Sequence, residues 1–258
     1  MKLLKFEIVK FLKDRRFIIL TIIVGIFSFL SGYILYLISP LKDKPSGFLM
    51  LSNSLNFIYY FLSIFALVFG VLTFSIEFEN GTVHMILLGK YSRFKIIINK
   101  MINLFIINIF LLFISFISII ICGLIFSKFE GIIIQGYVLK TSLSLWLYTI
   151  LTFFLILISL YTYSLMGIFL SIITKSVLPS ILLSISLYFL FNILSIFPKI
   201  QNFLFPYYLN SAIEFFSKIT KGIDISYFPF LLHFFLSNFI YIFLFSFLNI
   251  FLFERIEL

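Results

Sequence analysis

"TSLSLWLYTILTFFLILISLYTYSLMGIFLSIIT", residues 141–174, runs for 34 residues without one charged side chain. About 20 mostly apolar residues cross the hydrocarbon core of a bilayer as a helix, so this stretch spans it with turns to spare. Its apolar residues are continuous rather than alternating, so a membrane β-strand does not compete. Other charge-free runs lie at 17–41, 45–76, 101–127, 176–198 and 225–253. Together they predict helices near 17–39, 53–76, 100–126, 144–173, 177–197 and 229–253. The expected fold is an all-α polytopic membrane protein, one domain over residues 1–258 with six transmembrane helices.

Composition agrees. Of 258 residues, 62% are hydrophobic and only 11% are charged, with a mean hydropathy of +1.21. Soluble domains carry about 25% charged residues, so the solvent for most of this chain is lipid. The net charge of +9 would raise nucleic acid as a partner in a soluble protein. Here the cations sit in short segments between apolar runs, where they set orientation in the bilayer, and no nucleic acid is implied. The single cysteine, Cys122, forms no internal disulfide and reads as a small residue packed within a span.

With both termini on one side, that side holds twelve Lys and Arg, among them Lys2, Lys5, Lys10, Lys13, Arg15, Arg16, Lys90, Arg93, Lys95 and Lys100. The other holds seven, among them Lys128, Lys199, Lys218 and Lys221. The richer side is cytoplasmic by the positive-inside rule. Residues 1–16 come before any span and are not a cleavable signal, since Glu7 and Asp14 interrupt them and no small-x-small site follows. Leu4, Ile8, Phe11 and Leu12 share one helical face there, as in a helix lying in the interface. Between the last two spans, Ser211 and Glu214 have the spacing of a capping box and Gly222 that of a stop. Ala212, Phe216 and Ile219 form a stripe. They predict a short helix lying on, or dipping back into, the outer leaflet, and lipid contact would suffice to explain its stripe.

The most polar internal stretch is "EFENGTVHMILLGKYSRFK", residues 77–95. Its Gly89-Lys90 pair invites a nucleotide-loop reading. A Walker A loop needs glycine at position 84 and Ser or Thr at 91, whereas His84 and Tyr91 stand there. The chain does not bind ATP by that route. His84 and His233 are the only histidines and neither belongs to an H-E-x-x-H motif, so no metal site or catalytic residue is indicated. No acidic residue interrupts the apolar runs, which argues against a proton relay. The polar groups in the runs are neutral and suit helix–helix glue. Asn56, Asn192 and Ser195, in the outer halves of the second and fifth spans, are candidates for a substrate path.

In layout and in this stretch the chain resembles the permease subunits of ABC-2 type ABC transporters, notably small bacterial export permeases that include lantibiotic-immunity members. The family's pattern of acidic residues, Gly-Thr, a Leu pair, a Ser-Arg turn and a lysine is matched by Glu77, Glu79, Gly81-Thr82, Leu87-Leu88, Ser92-Arg93 and Lys100. Tyr91 departs from it, because proline is common before Ser-Arg. The resemblance implies a cytoplasmic coupling helix between spans two and three that docks into a separate ATP-binding subunit. Gly81 and Thr82 would turn the chain out of the membrane, and Val83, Ile86 and Leu87 would supply an apolar docking side. Glu77 and Glu79 would meet basic residues of the partner, and Arg93 and Lys95 would pair with acids or with anionic lipid headgroups. It further implies two ATP-binding subunits carrying Mg-ATP, no cofactor in this chain, a second permease copy or paralogue, and a bacterial cell membrane with both termini cytoplasmic. Export of a peptide antibiotic, drug or other amphipathic substrate would follow. An ATP-independent carrier or a membrane assembly protein is the alternative.

Overall fold

A computed structural model of the chain describes residues 7, 9, 13, 15–38, 45–83, 92–130, 132–134, 137–140, 142–220 and 227–255. Six helices are long and apolar enough to cross a membrane. They are α1 (Arg15–Ile38), α2 (Gly47–Glu79), α3 (Arg93–Phe126), α4 (Ser142–Thr174), α5 (Val177–Leu194) and, after a shorter α6 (Phe205–Thr220), α7 (Tyr227–Glu254). A two-stranded antiparallel ribbon, β1 (Ile132–Ile134) and β2 (Tyr137–Lys140), joins α3 to α4. Of the first fourteen residues only Glu7, Val9 and Lys13 are described, each helical. The remainder of the expected interfacial helix lies outside the described residues.

Two helices reach past their apolar runs, α2 on to Glu79 and α3 back to Arg93. At 1.5 Å per residue the 33 residues of α2 rise about 50 Å, some 20 Å more than a hydrocarbon core. α3 and α4 are equally long, while α5 has 18 residues and just matches the core. The ends of α2, α3 and α4 therefore stand clear of the hydrocarbon and can carry charge. Within the spans, hydroxyls return their protons to carbonyls one turn back, as from Thr21 to Phe17, Ser63 to Tyr59 and Thr149 to Leu145. That satisfies them where no water is available.

α2 is the centre of the bundle and packs on α1, α3, α4, α5 and α6. Its closest crossing is with α4 at Gly70 and Gly167, where the backbones touch. A methyl group built on Gly70 would collide with the Ser164 carbonyl, and one on Gly167 with that of Leu67. Neutral polar groups tie the neighbours in. The Ser164 hydroxyl donates to the Ala66 carbonyl at 3.0 Å, and the Asn108 amide donates to Ser164 at 2.7 Å. Asn249 of α7 reaches the Leu165 carbonyl at 3.0 Å. Cys122 is buried against Gly32, close enough to exclude a side chain there.

The two ends of the bundle differ. One end, here the terminal face, gathers the start of α1, the end of α2, the start of α3, the α4–α5 turn and the end of α7. At the opposite face, Phe48, Phe129 and Trp146 pack with ring centroids 5.1–5.2 Å apart. Gly47 and Gly123 leave room for the Phe129 ring.

α6 lies at this opposite face and differs from expectation twice. It begins at Phe205, so Ser211 is interior and not a cap; Pro206 in the first turn suits a helix start. Its stripe of Ala212, Phe216 and Ile219 is fully buried against the bundle instead of facing lipid. Phe48, Leu145 and Phe215 cover Ile219, and Thr220 bonds Ser52 of α2 at 3.2 Å.

Candidate functional site

The second span ends in a defined stop. Asn80 caps α2, its N–H bonding the Ile76 carbonyl at 3.0 Å, and Gly81 follows with φ +66°. Left-handed backbone of this kind favours glycine. The Thr82 hydroxyl then donates to the Glu77 carbonyl at 3.2 Å, occupying an acceptor that the helix end leaves open. Val83 is 3% exposed, so it packs within the chain and its side chain is not offered to a partner. Ile86 and Leu87 lie outside the described residues, as does His84. The chain re-enters at Ser92, the cap of α3.

Beside this segment one ion pair is buried. Lys100, two turns into α3, is 1% exposed. Its Nζ lies 2.7 Å from Glu77 Oε2 and 3.9 Å from Glu7 Oε1, donates to the Thr73 carbonyl at 3.0 Å, and sits 4.6 Å over the Phe74 ring. Phe74 in turn packs on Phe253 of α7, centroids 4.9 Å apart. The ion pair thus joins the segment before α1, the last turn of α2 and the second turn of α3.

Glu79 makes a second tie. Its Oε1 accepts the Val177 N–H at 2.6 Å, at the start of α5. The first amides of a helix lack intrahelical partners and carry the positive end of its dipole, so a carboxylate suits that place. Alongside, Ser75 and Ser180 hydroxyls meet at 3.1 Å, and Ser180 also bonds Thr174 and the Ser176 carbonyl. Between them Lys175 holds φ +55°, the only described non-glycine residue with positive φ. Arg93 makes the third, its Nη1 donating to the Glu254 carbonyl at 2.6 Å, a cation at the negative end of α7.

The structure corrects three expectations here. Glu77 and Glu79 were expected to meet basic residues of a partner, but both carboxylates are engaged within the chain. The apolar runs excluded buried acids, yet Glu77 is 5% exposed, because α2 continues past its apolar run and carries Glu77 into the packed end of the bundle. Lys100 was taken as the boundary of span three, whereas α3 starts seven residues earlier. The available signal was a carboxylate closing one apolar run and an ammonium opening the next, at similar depth.

The three path candidates are not brought together. Asn56 lines a cleft of about 530 Å³ between α1 and α2 with Ser31, Asn53 and Tyr60. The Asn192 amide bonds the Tyr188 carbonyl one turn back. Ser195 caps its own helix, donating to the Asn192 carbonyl at 2.6 Å. The Tyr188 hydroxyl reaches the Tyr60 carbonyl at 3.4 Å, linking α5 to α2.

Six spans, with the ends of α2 and α3 tied to each other and to α5 and α7, define a multi-pass helical membrane protein braced at one end. In comparison with known families, residues 1–216 match the ABC-2 family transporter proteins, and the chain belongs to that family. It is therefore a membrane permease of an ABC transporter, a class that works with an ATP-binding partner. No curated protein matches the chain.

Proposed function

We propose that the chain forms half of an export pathway in a bacterial cell membrane, pairing with a second copy or a paralogous permease and driven by two ATP-binding subunits that carry Mg-ATP. The terminal face, richer in Lys and Arg, lies in the cytoplasm. Residues 82–92 dock on the ATP-binding subunit, with Ile86 and Leu87 supplying the apolar contact and Val83 seating the segment on α2. The substrate is a peptide antibiotic, drug or other amphipathic molecule, and the neutral polar groups Asn56, Asn192 and Ser195 are candidates for its path.

The observation that carries this reading is the bracing of the helix ends that flank residues 82–92. Lys100–Glu77 joins the two helix ends that flank the segment, Glu79 joins α2 to α5, and Arg93 joins α3 to α7. A push on the segment is delivered to four spans at once, as a coupling element requires.

The test is co-purification of this chain with the ATP-binding subunit from native membranes, followed by ATPase assay in liposomes. Alanine at Ile86 and Leu87 together should leave the permease in the membrane, release the ATP-binding subunit and abolish transport. Intact association and transport in that variant refute the docking role.

A further inference from the structure

α7, α6 and the 3-10 turn Gln201–Phe203 that precedes it enclose a groove of about 360 Å³ that changes character along its length. At the opposite face its mouth holds Asn202 and His233. The His233 ring stacks on Tyr208 with centroids 6.4 Å apart, and the Tyr208 hydroxyl donates to the Asn202 carbonyl at 3.0 Å. Lys199, which is exposed, lies three residues before Asn202. Deeper, the lining is mostly apolar, with Phe203, Ser237 and Tyr241 beside an aliphatic column. Leu236, Ile240 and Leu244 follow at i, i+4 and i+8, so they form one column down α7, and all three are exposed.

The dimensions fit one membrane leaflet. From His233 to Leu244 is eleven residues, a rise of about 16 Å, against about 15 Å for half of a 30 Å hydrocarbon core. Polar groups therefore stand at headgroup level, and the aliphatic column reaches the midplane. We propose that this groove binds a single phospholipid of that leaflet, its phosphate beside Asn202 and His233 and one acyl chain along Leu236, Ile240 and Leu244.

Lipid tails are as apolar as leucine, so burying the chain confers no preference by itself. The polar mouth supplies the preference. The chain fills a furrow whose walls would otherwise forfeit dispersion contacts. A second copy of the protein would need an apolar surface here, and the polar mouth gives it nothing to pack on. The assignment is independent of the coupling role of residues 82–92.

The test uses the full chain in liposomes containing a phospholipid with a mid-chain diazirine, illuminated and mapped by peptide mass spectrometry. Labelling of residues 231–244 should exceed that of the exposed α1 positions Ile18, Ile22 and Ile26 by about three- to ten-fold, the worth of roughly one membrane hydrogen bond. His233→Ala and Ile240→Trp should each lower it to the α1 level, and Ile22→Trp should leave it unchanged. Should Ile240→Trp fail to fold, His233→Ala and Asn202→Ala carry the same comparison. Equal labelling of the two helices, or an excess that no variant alters, overturns the assignment in favour of annular lipid. Disulfide cross-linking between copies through Ile240→Cys overturns it in favour of a protein interface.

Discussion

Replacing Lys100 by methionine keeps most of the side-chain volume and removes the ammonium from a site with 1% exposure. Glu77 is then left buried without its cation, and the Thr73 carbonyl loses a donor. Breaking a buried pair from one side costs about 3–5 kcal/mol, because the surviving charge keeps its desolvation penalty. At about 2–4 °C per kcal/mol for a chain of this size, the unfolding temperature in detergent should fall by roughly 6–20 °C. Glu77→Gln should act in the same direction, leaving a buried ammonium that still reaches the Thr73 carbonyl and the Phe74 ring. The double variant, Lys100→Met with Glu77→Gln, should recover at least about 2 kcal/mol relative to the sum of the singles, within the range seen for coupled neighbours. Glu7→Gln should matter less than Glu77→Gln, since its oxygen stands 3.9 Å from the ammonium, beyond hydrogen-bond reach. Thermal unfolding of the four variants closes the cycle. Additive single effects, with a coupling under about 0.5 kcal/mol, would show that the pair is not the tie described here.

Alanine at Gly167 drives a methyl group into the Leu67 carbonyl, so the variant should fail to yield monodisperse protein on size-exclusion chromatography. Gly81→Ala meets nothing within 4 Å, so its cost is the left-handed backbone alone, about 1 kcal/mol by thermal unfolding, with Gly81→Asn milder. Glu79→Ala removes the carboxylate from the start of α5. It should cost about 0.5–2 kcal/mol and speed hydrogen exchange at Val177 ahead of the rest of the bundle.

The spans were legible because lipid leaves few alternatives. A run such as 141–174 has to satisfy its backbone within itself, and only a helix does so. The stripe of Ala212, Phe216 and Ile219 was equally visible, but periodicity reports that a face is apolar and not what covers it. Lipid and the flank of α2 look the same to a pattern. The braced end was hidden for a related reason. Hydropathy treats Lys100 as the edge of a span, since a lone lysine is costly in hydrocarbon. A lysine with a carboxylate 2.7 Å away and a carbonyl at 3.0 Å is no longer alone, and those partners come from α2. Glu79 was read as a charge facing outward because nothing local shows that the first amide of α5, 98 residues later, stands in front of it.

The crossing of α2 and α4 restricts how the bundle can move. On the same face one turn away stand Ala66 and Phe74 beside Gly70, and Tyr163 and Ser171 beside Gly167. Sliding either helix by one turn would push one of those side chains into a space that admits only a hydrogen atom. Swivelling about the contact displaces no side chain through it. The crossing therefore behaves as a pin and not as a rail: the two helices can open like scissors at their ends while the crossing point stays in register. Gly70 lies 9 residues from the braced end of α2 and 23 from the other, so small tilts set at the braced face would arrive at the opposite face reversed and enlarged.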